Sequence, residues 1–172
     1  MDTRTAEIIA KKSRALKHCD KILEQCDKKG THKVILNNTG VTYKNILSKE
    51  QIEYMLKKYL SLDSISESIK DGYEFELIYE EDSLIGFTSY KIRKDDCFLS
   101  KLYILPKFQG KGYATKQIKE LIKFGKKITL TVNKNNLNAY NKYLHLGFKV
   151  IESIKTDIGS GFIMDDYVMQ RN

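Results

Sequence analysis

Apolar residues recur along the chain with two different periods, and the change of period marks where helices give way to strands. Across residues 4 to 28, Ile8, Ala15 and Ile22 stand at heptad spacing beside Ile9, Leu16 and Leu23. That pattern predicts a long helix with one apolar stripe, stopped at Lys28-Lys29-Gly30. Residues 32 to 36 read as a short strand. Ser48 with Gln51 three positions later has the form of a capping box. The helix it opens presents Ile52, Met55, Leu56 and Tyr59 on one face. Asp63 or Ser64 is the expected cap of a shorter helix ending near Asp71-Gly72. The period then drops to two, and from residue 73 to 79 apolar and charged side chains alternate as in a half-buried strand. After a turn at Glu81-Asp82-Ser83, strands over 84 to 92 and 97 to 105 complete an antiparallel meander. Helices over 113 to 124 and 136 to 146 then alternate with strands over 128 to 132, 148 to 154 and 163 to 170. A meander followed by strand–helix–strand crossovers predicts an α/β (α+β) fold. Its sheet is mixed, mostly antiparallel and flanked by helices, with an extra N-terminal helix.

Composition narrows the class without naming a function. The 172 residues suit a single domain with a proper core. Hydrophobic residues at 41% and charged residues at 30% are ordinary for a globular chain. No apolar run approaches the roughly 20 residues that span a bilayer, and Met1-Asp2-Thr3-Arg4 lacks the apolar core of a secretion signal. A cytoplasmic protein with no membrane partner is therefore expected. Cys19 and Cys26 are separated by roughly 10 Å along the first helix, too far for a disulfide. Cys97 stands alone in a strand, and His18, His32 and His145 are scattered, so no metal site is expected. The net charge of +8 suits nucleic acid, phospholipid or a phosphorylated cofactor. Lys11, Lys12, Arg14, Lys17 and Lys21 of the first helix are candidates for nucleic-acid contact, but no nucleic-acid motif accompanies them.

Two segments carry chemistry. Leu102-Tyr103-Ile104-Leu105-Pro106-Lys107-Phe108-Gln109-Gly110-Lys111-Gly112-Tyr113-Ala114-Thr115 is a strand end, a loop and a helix start. Glycines let backbone N–H groups close on an anion. The helix N-terminus adds partial positive charge, and Lys111 and Lys116 reinforce it. A pyrophosphate suits such a cradle, although the sequence is neither a Walker loop nor a dinucleotide fingerprint. In the second segment, residues 136 to 148, positions 136, 139 and 143 form one helical stripe and 137, 140 and 144 another. The first is polar, small, then phenolic, and suits a cleft wall. The second is apolar and is expected to face the core.

Together the segments resemble the GNAT N-acetyltransferases. Gln109-x-x-Gly112-x-Ala114 resembles their acetyl-CoA signature, Arg/Gln-x-x-Gly-x-Gly/Ala. Asn136-x-x-Ala139-x-x-x-Tyr143-x-x-x-Gly147-Phe148 resembles their second motif. The resemblance covers residues 73 to 172, and 42 to 72 more loosely. It implies one acetyltransferase domain over 1 to 172, with a sheet splayed between the family's fourth and fifth strands and coenzyme A in the gap. Leu102, Tyr103 and Ile104 would meet the thioester and pantetheine, Ile104 through backbone hydrogen bonds. Gln109, Gly110, Lys111, Gly112, Tyr113, Ala114 and Thr115 would hold the pyrophosphate. Asn136 and Ala139 would line the pantetheine arm, and Tyr143 would protonate the departing thiolate. The chain departs from the family in three ways. A helix-like stretch of 30 residues precedes the expected first strand. Gln109 in place of arginine removes a charge-assisted phosphate contact. No acidic residue stands out as the general base.

By that resemblance the reaction is direct transfer of an acetyl group from acetyl-CoA to a primary amine. A backbone N–H would stabilise the oxyanion, with no covalent enzyme intermediate. Cys97 as a nucleophile is the lesser alternative, since no histidine stands near it in sequence. The stretch around Asp165 and Asp166 looks like a subgroup that includes polyamine acetyltransferases. The two carboxylates could draw a cationic amine, while a turn or a solvated strand edge is the plainer reading of the pair. A protein N-terminus, a lysine or an amino-sugar stays open as the acceptor. Two other classes remain, a CoA-binding domain without activity and a basic nucleic-acid-binding protein. The long first helix would dock on the domain or on a second copy of the chain as a homodimer.

Overall fold

The computed structural model describes Leu36, Thr39, Gly40 and residues 42 to 172. The predicted helix over 4 to 28 lies outside these residues. So does the predicted strand over 32 to 36, apart from Leu36, which is helical, as are Thr39, Gly40, Thr42 and Tyr43. In that conformation Leu36 packs into the core rather than pairing with the sheet.

Ser48 caps helix α1 (Lys49–Leu60), its Oγ accepting from the Gln51 N–H at 3.1 Å. Only this half of the capping box forms. The Gln51 side chain turns away and donates to the Ile163 carbonyl at 3.2 Å, fastening the helix to a strand far along the chain. The chain leaves helical geometry at Ser61 alone, so Ser61 both ends α1 and caps α2 (Leu62–Lys70), accepting from the Ser64 N–H at 3.2 Å. Asp63 and Ser64, the expected caps, fall inside the first turn.

Six strands follow in one sheet: β1 (Glu74–Glu80), β2 (Ser83–Ile92), β3 (Asp96–Ile104), β4 (Lys127–Asn133), β5 (Lys149–Gly159) and β6 (Phe162–Arg171), in the order β1-β2-β3-β4-β6-β5. Helix α3 (Tyr113–Ile122) crosses from β3 to β4, and α4 (Leu137–His145) joins β4 to β5. A helical crossover returns the chain in the same direction, and β3·β4 is the one parallel pair. The other neighbours are antiparallel.

The two faces of the sheet are covered differently. Leu102 and Tyr103, adjacent on β3, point to opposite faces and pack into different clusters. Leu102 joins Leu99, Leu130 and Met169 under Ile118 and Leu121 of α3 and Ala139 and Tyr143 of α4. Tyr103 joins Phe75 and Phe87 under Leu60 and Ile65 of α1 and α2. Each fully buried side chain of this size contributes about 1.5–3 kcal/mol. Among the described residues no helix is long and apolar enough to cross a membrane.

Strands β3 and β4 pair only from Asp96 with Lys127 to Leu99 with Leu130. Beyond that point they part, and the sheet opens into a V. At the closed end, Arg93 grips Asp96 with two hydrogen bonds, Nε to Oδ1 at 2.7 Å and Nη2 to Oδ2 at 2.6 Å. The guanidinium holds the Asp96 carboxyl below its ordinary value, against the opposing effect of burial. A depressed folded-state pKa stabilises the fold above the unfolded value near 4 and loses that contribution as pH falls through the folded value. Arg93 is nearly half exposed, so about 1 kcal/mol or less is at stake. Asp96→Asn should therefore flatten the acid limb of stability against pH, measured by urea titration from about pH 3 to 7. An unchanged limb would show that the clamp contributes nothing.

Candidate active site

The V between β3 and β4 holds a cavity of about 280 Å³. Leu102, Tyr103 and Ile104 form its β3 wall. Gln109, Gly110, Tyr113 and Ala114 form the end nearest α3, and Asn136, Ala139 and Tyr143 form the α4 wall. The structure thus brings together ten of the residues singled out from sequence. Lys111, Gly112, Thr115, Asp165 and Asp166 do not line it.

Beyond Leu99, no strand among the described residues pairs with β3 on its β4 side, so that edge presents unpaired backbone groups towards the cavity. An extended ligand carrying amides can pair there as a strand would. Gln109 reaches this edge, its Nε2 donating to the Ile104 carbonyl at 2.9 Å. In this state the side chain fixes the loop to the strand end rather than facing an anion. Lys111 and Tyr113 both bond Glu80 on β1, and the Tyr113 hydrogen bond is the main reason the Glu80 carboxyl is held below its ordinary value.

Gly112 is the N-cap of α3 with φ of +88°, a left-handed conformation that only glycine adopts without strain. Among the described residues, a Cβ built there would meet nothing within 4 Å. The first amides of α3 are therefore open to an anion. Gly112→Val should strain the cap and crowd the approach together, with a loss of acetyl-CoA affinity of about tenfold or more from a few kcal/mol of combined cost. Calorimetry on the folded variant checks this, and wild-type affinity would remove the loop from the site.

On the α1 face the site has a layer that sequence reasoning missed. Tyr43, from the helical turn before α1, lines the cavity and meets the hydroxyl of Tyr103. Burial, first among its causes, raises the pKa of each, as it does that of Tyr143, which also feels Tyr43. Nothing periodic surrounds Thr42-Tyr43-Lys44, so no local pattern could have flagged Tyr43. Lys101 and Lys142 also line the cavity. Lys101 was visible as a charge inside an otherwise largely apolar strand.

Asp166 acts electrostatically on Tyr43 and Tyr103 without lining the cavity. It is 9% exposed and pairs in register with Asn133. Its Oδ1 has no hydrogen-bond partner, and burial raises its carboxyl pKa. Asp165 is ion-paired with Lys134 at 2.5 Å and lies 4.0 Å from Lys155. Neither carboxylate lines the cavity. Cys97 is fully buried, away from the cavity, and burial pushes its thiol up to about 11, which leaves it protonated and inert. On α4, Leu137 and Leu144 of the stripe expected to face the core are 63% and 41% exposed, and only its Tyr140 packs inward. Ala139 and Tyr143 of the other stripe pack inward beside it, because the helix closes the open side of the V.

A sheet splayed beside a glycine-capped helix, with a phenol on the opposite wall, defines a site for a long thioester. The acetyltransferase (GNAT) domain model matches residues 43–164, and the chain belongs to this family. Transfer of an acetyl group from acetyl-CoA to an amine nitrogen is the activity of that class. A spermidine N(1)-acetyltransferase from Thermoplasma acidophilum is 30% identical over 134 residues, covering 72% of this chain and 81% of that protein. A spermine/spermidine N(1)-acetyltransferase from Bacillus subtilis is 26% identical over 117 residues, 60% of this chain and 76% of that one. The crystal structure of the PaiA N-acetyltransferase from Thermoplasma acidophilum in complex with coenzyme A superposes with a TM-score of 0.67 at 24% identity, covering 87% of this chain and 93% of that one.

Proposed function

We propose that the protein binds acetyl-CoA along the open edge of β3 and transfers its acetyl group directly to a primary amine. The observation that carries this reading is the V, whose β3 edge, α3 N-terminus and Tyr143 converge on one cavity. The residues suit the donor. Backbone groups around Ile104 can pair with pantetheine amides and stabilise the oxyanion. The amides from Gln109 to Thr115 suit a pyrophosphate, and Asn136 and Ala139 border the arm between. The amine attacks the thioester carbon, and Tyr143 protonates the thiolate as it leaves. Tyr143 is a weak acid in this setting, but the same low-dielectric surroundings also raise the basicity of the thiolate, which narrows the mismatch.

The acceptor class is a primary amine, with spermidine first to be tried because two relatives bear polyamine names. Asp165 and Asp166 remain candidates for attracting it at longer range. A cytoplasmic location and a homodimer belong to the same reading, and light scattering giving the mass of one chain would remove the dimer. The central test is thiol release from acetyl-CoA across polyamines, lysine, peptides with free N-termini and amino-sugars. Release with one acceptor class supports the reading. Tight acetyl-CoA binding with no release for any amine would make the protein a CoA-binding regulator instead.

A further inference from the structure

A primary amine reaches the enzyme as an ammonium ion and must lose a proton before it can attack. No carboxylate among the described residues lines the cavity to receive it. Asp165 is paired with Lys134, Glu80 is bonded to Tyr113 and Lys111, and Asp166 is buried with Asn133 as its ladder partner. The wall does carry Lys101.

Lys101 stands on β3 three residues before Ile104, on the face shared by Tyr103 and Phe75. It pairs across the ladder with Ser89, and its Nζ lies 5.8 Å from the Phe75 ring centroid. Its polar contact is the Ser100 Oγ at 3.3 Å, and no carboxylate among the described residues pairs with it. An ammonium removed from water without a counter-charge is disfavoured against the neutral amine, and burial alone pulls this one down to about 8. The other titratable groups on the walls are Tyr43, Tyr103, Tyr113, Tyr143 and Lys142, and none is an anion at neutral pH. Ala139 and Tyr143 of α4 pack in the cluster on the α3 face, whereas Tyr103 packs in the cluster on the α1 face, with Lys101 on its side of β3 and Tyr43 hydrogen-bonded to it. A donor that enters by the first face leaves the second for the amine.

We infer that Lys101 is the proton acceptor for the incoming amine, a catalytic residue on the α1 side of the cavity. The assignment rests on the acyl-transfer reading. The Nζ lone pair takes one proton from the acceptor ammonium, and the electron pair of the broken N–H bond stays on the acceptor nitrogen. That pair forms the C–N bond at the thioester carbon, and the C–S bond breaks with its electrons on sulfur. The thiolate takes the Tyr143 proton, and the second proton lost by the nitrogen restores Tyr143. Lys101 returns its proton to water, so one proton is released for each amide formed.

The test compares two acceptors by thiol release at pH 7. One is an alkylamine, protonated in solution. The other is a weakly basic aromatic amine or hydrazide, already neutral. Lys101→Met should lower kcat/KM for the alkylamine by roughly 10²–10³-fold and for the neutral amine by less than about threefold. Melting temperature and acetyl-CoA affinity should stay close to wild type. Lys101→Arg keeps a positive charge but cannot accept a proton, and should fail with the alkylamine as heavily, which also covers the case where the methionine variant does not fold. Equal losses with both acceptors, retained alkylamine turnover, or rescue by arginine each overturn the assignment while leaving acyl transfer intact. Absence of thiol release by the wild-type protein with every amine defeats the transfer reading itself, and this assignment with it.

Discussion

Tyr143→Phe should slow acyl transfer by roughly 10²-fold or more, the scale of a positioned proton donor, while stability and acetyl-CoA binding stay nearly unchanged. The ring of Tyr143 packs edge-on against Phe148 with centroids 5.5 Å apart and against the cluster beneath α4. Phenylalanine preserves that packing and removes only the hydroxyl. Burial, and then Tyr43, raise the pKa of that hydroxyl, so it carries its proton at any pH where the enzyme works. It is therefore in the right form to donate, and the loss should not be recovered by lowering the pH. It should shrink with a donor whose thiol is more acidic, since such a thiolate leaves with less protonation. The comparison is kcat at saturating donor where chemistry limits turnover. Near-equal values would show that Tyr143 only packs, and Tyr43, which lines the same cavity, would be the next phenol to examine.

What could be read from the chain was whatever its neighbours in sequence decide. Strands β2, β3, β4 and β6 fall within a residue or two of their expected limits, because period-two alternation and the turn at Glu81 are local signals. The stripe Asn136, Ala139, Tyr143 reaches the cavity for the same reason, being fixed by helical geometry alone. The adjacent stripe holds only at Tyr140, because which side of α4 faces the core depends on the splay of the sheet. Leu137 and Leu144 look like core residues only if a layer exists outside them. Gln51 has the spacing of a capping box, yet its amide is taken by Ile163, a partner more than a hundred residues away. Tyr43 owes its interest to burial beside Tyr103, distant in sequence, and that property has no local signature; Lys101 had one, a charge within a largely apolar strand.

Gly86 is the other position where a single change should have a large effect. A glycine inside a strand reads in sequence as a weak point, whereas here it is a close approach. Gly86 stands in register between Ile78 on β1 and Ile104 on β3, and those two isoleucines share a core cluster with Ile85 and Phe108. A Cβ at Gly86 would lie 2.2 Å from the Tyr103 carbonyl oxygen and 3.2 Å from the Ile104 Cα, both backbone atoms that cannot swing aside. Either β2 or β3 must move. Gly86→Ala should cost about 3 kcal/mol or more, at the upper end of overpacking, and lower the melting temperature by roughly 6–12 °C at this chain length. The displaced segment is the part of β3 proposed to pair with the donor, so protein that still folds should also bind acetyl-CoA more weakly, by tenfold or more. Gly40→Ala is the control, since a Cβ there meets nothing within 4 Å among the described residues and the residue is helical, where alanine is preferred. Calorimetry and thermal melts on both variants decide the matter. A stable Gly86→Ala protein with wild-type affinity would show that β2 yields without disturbing β3, and would separate the close packing at Gly86 from the geometry of the donor site.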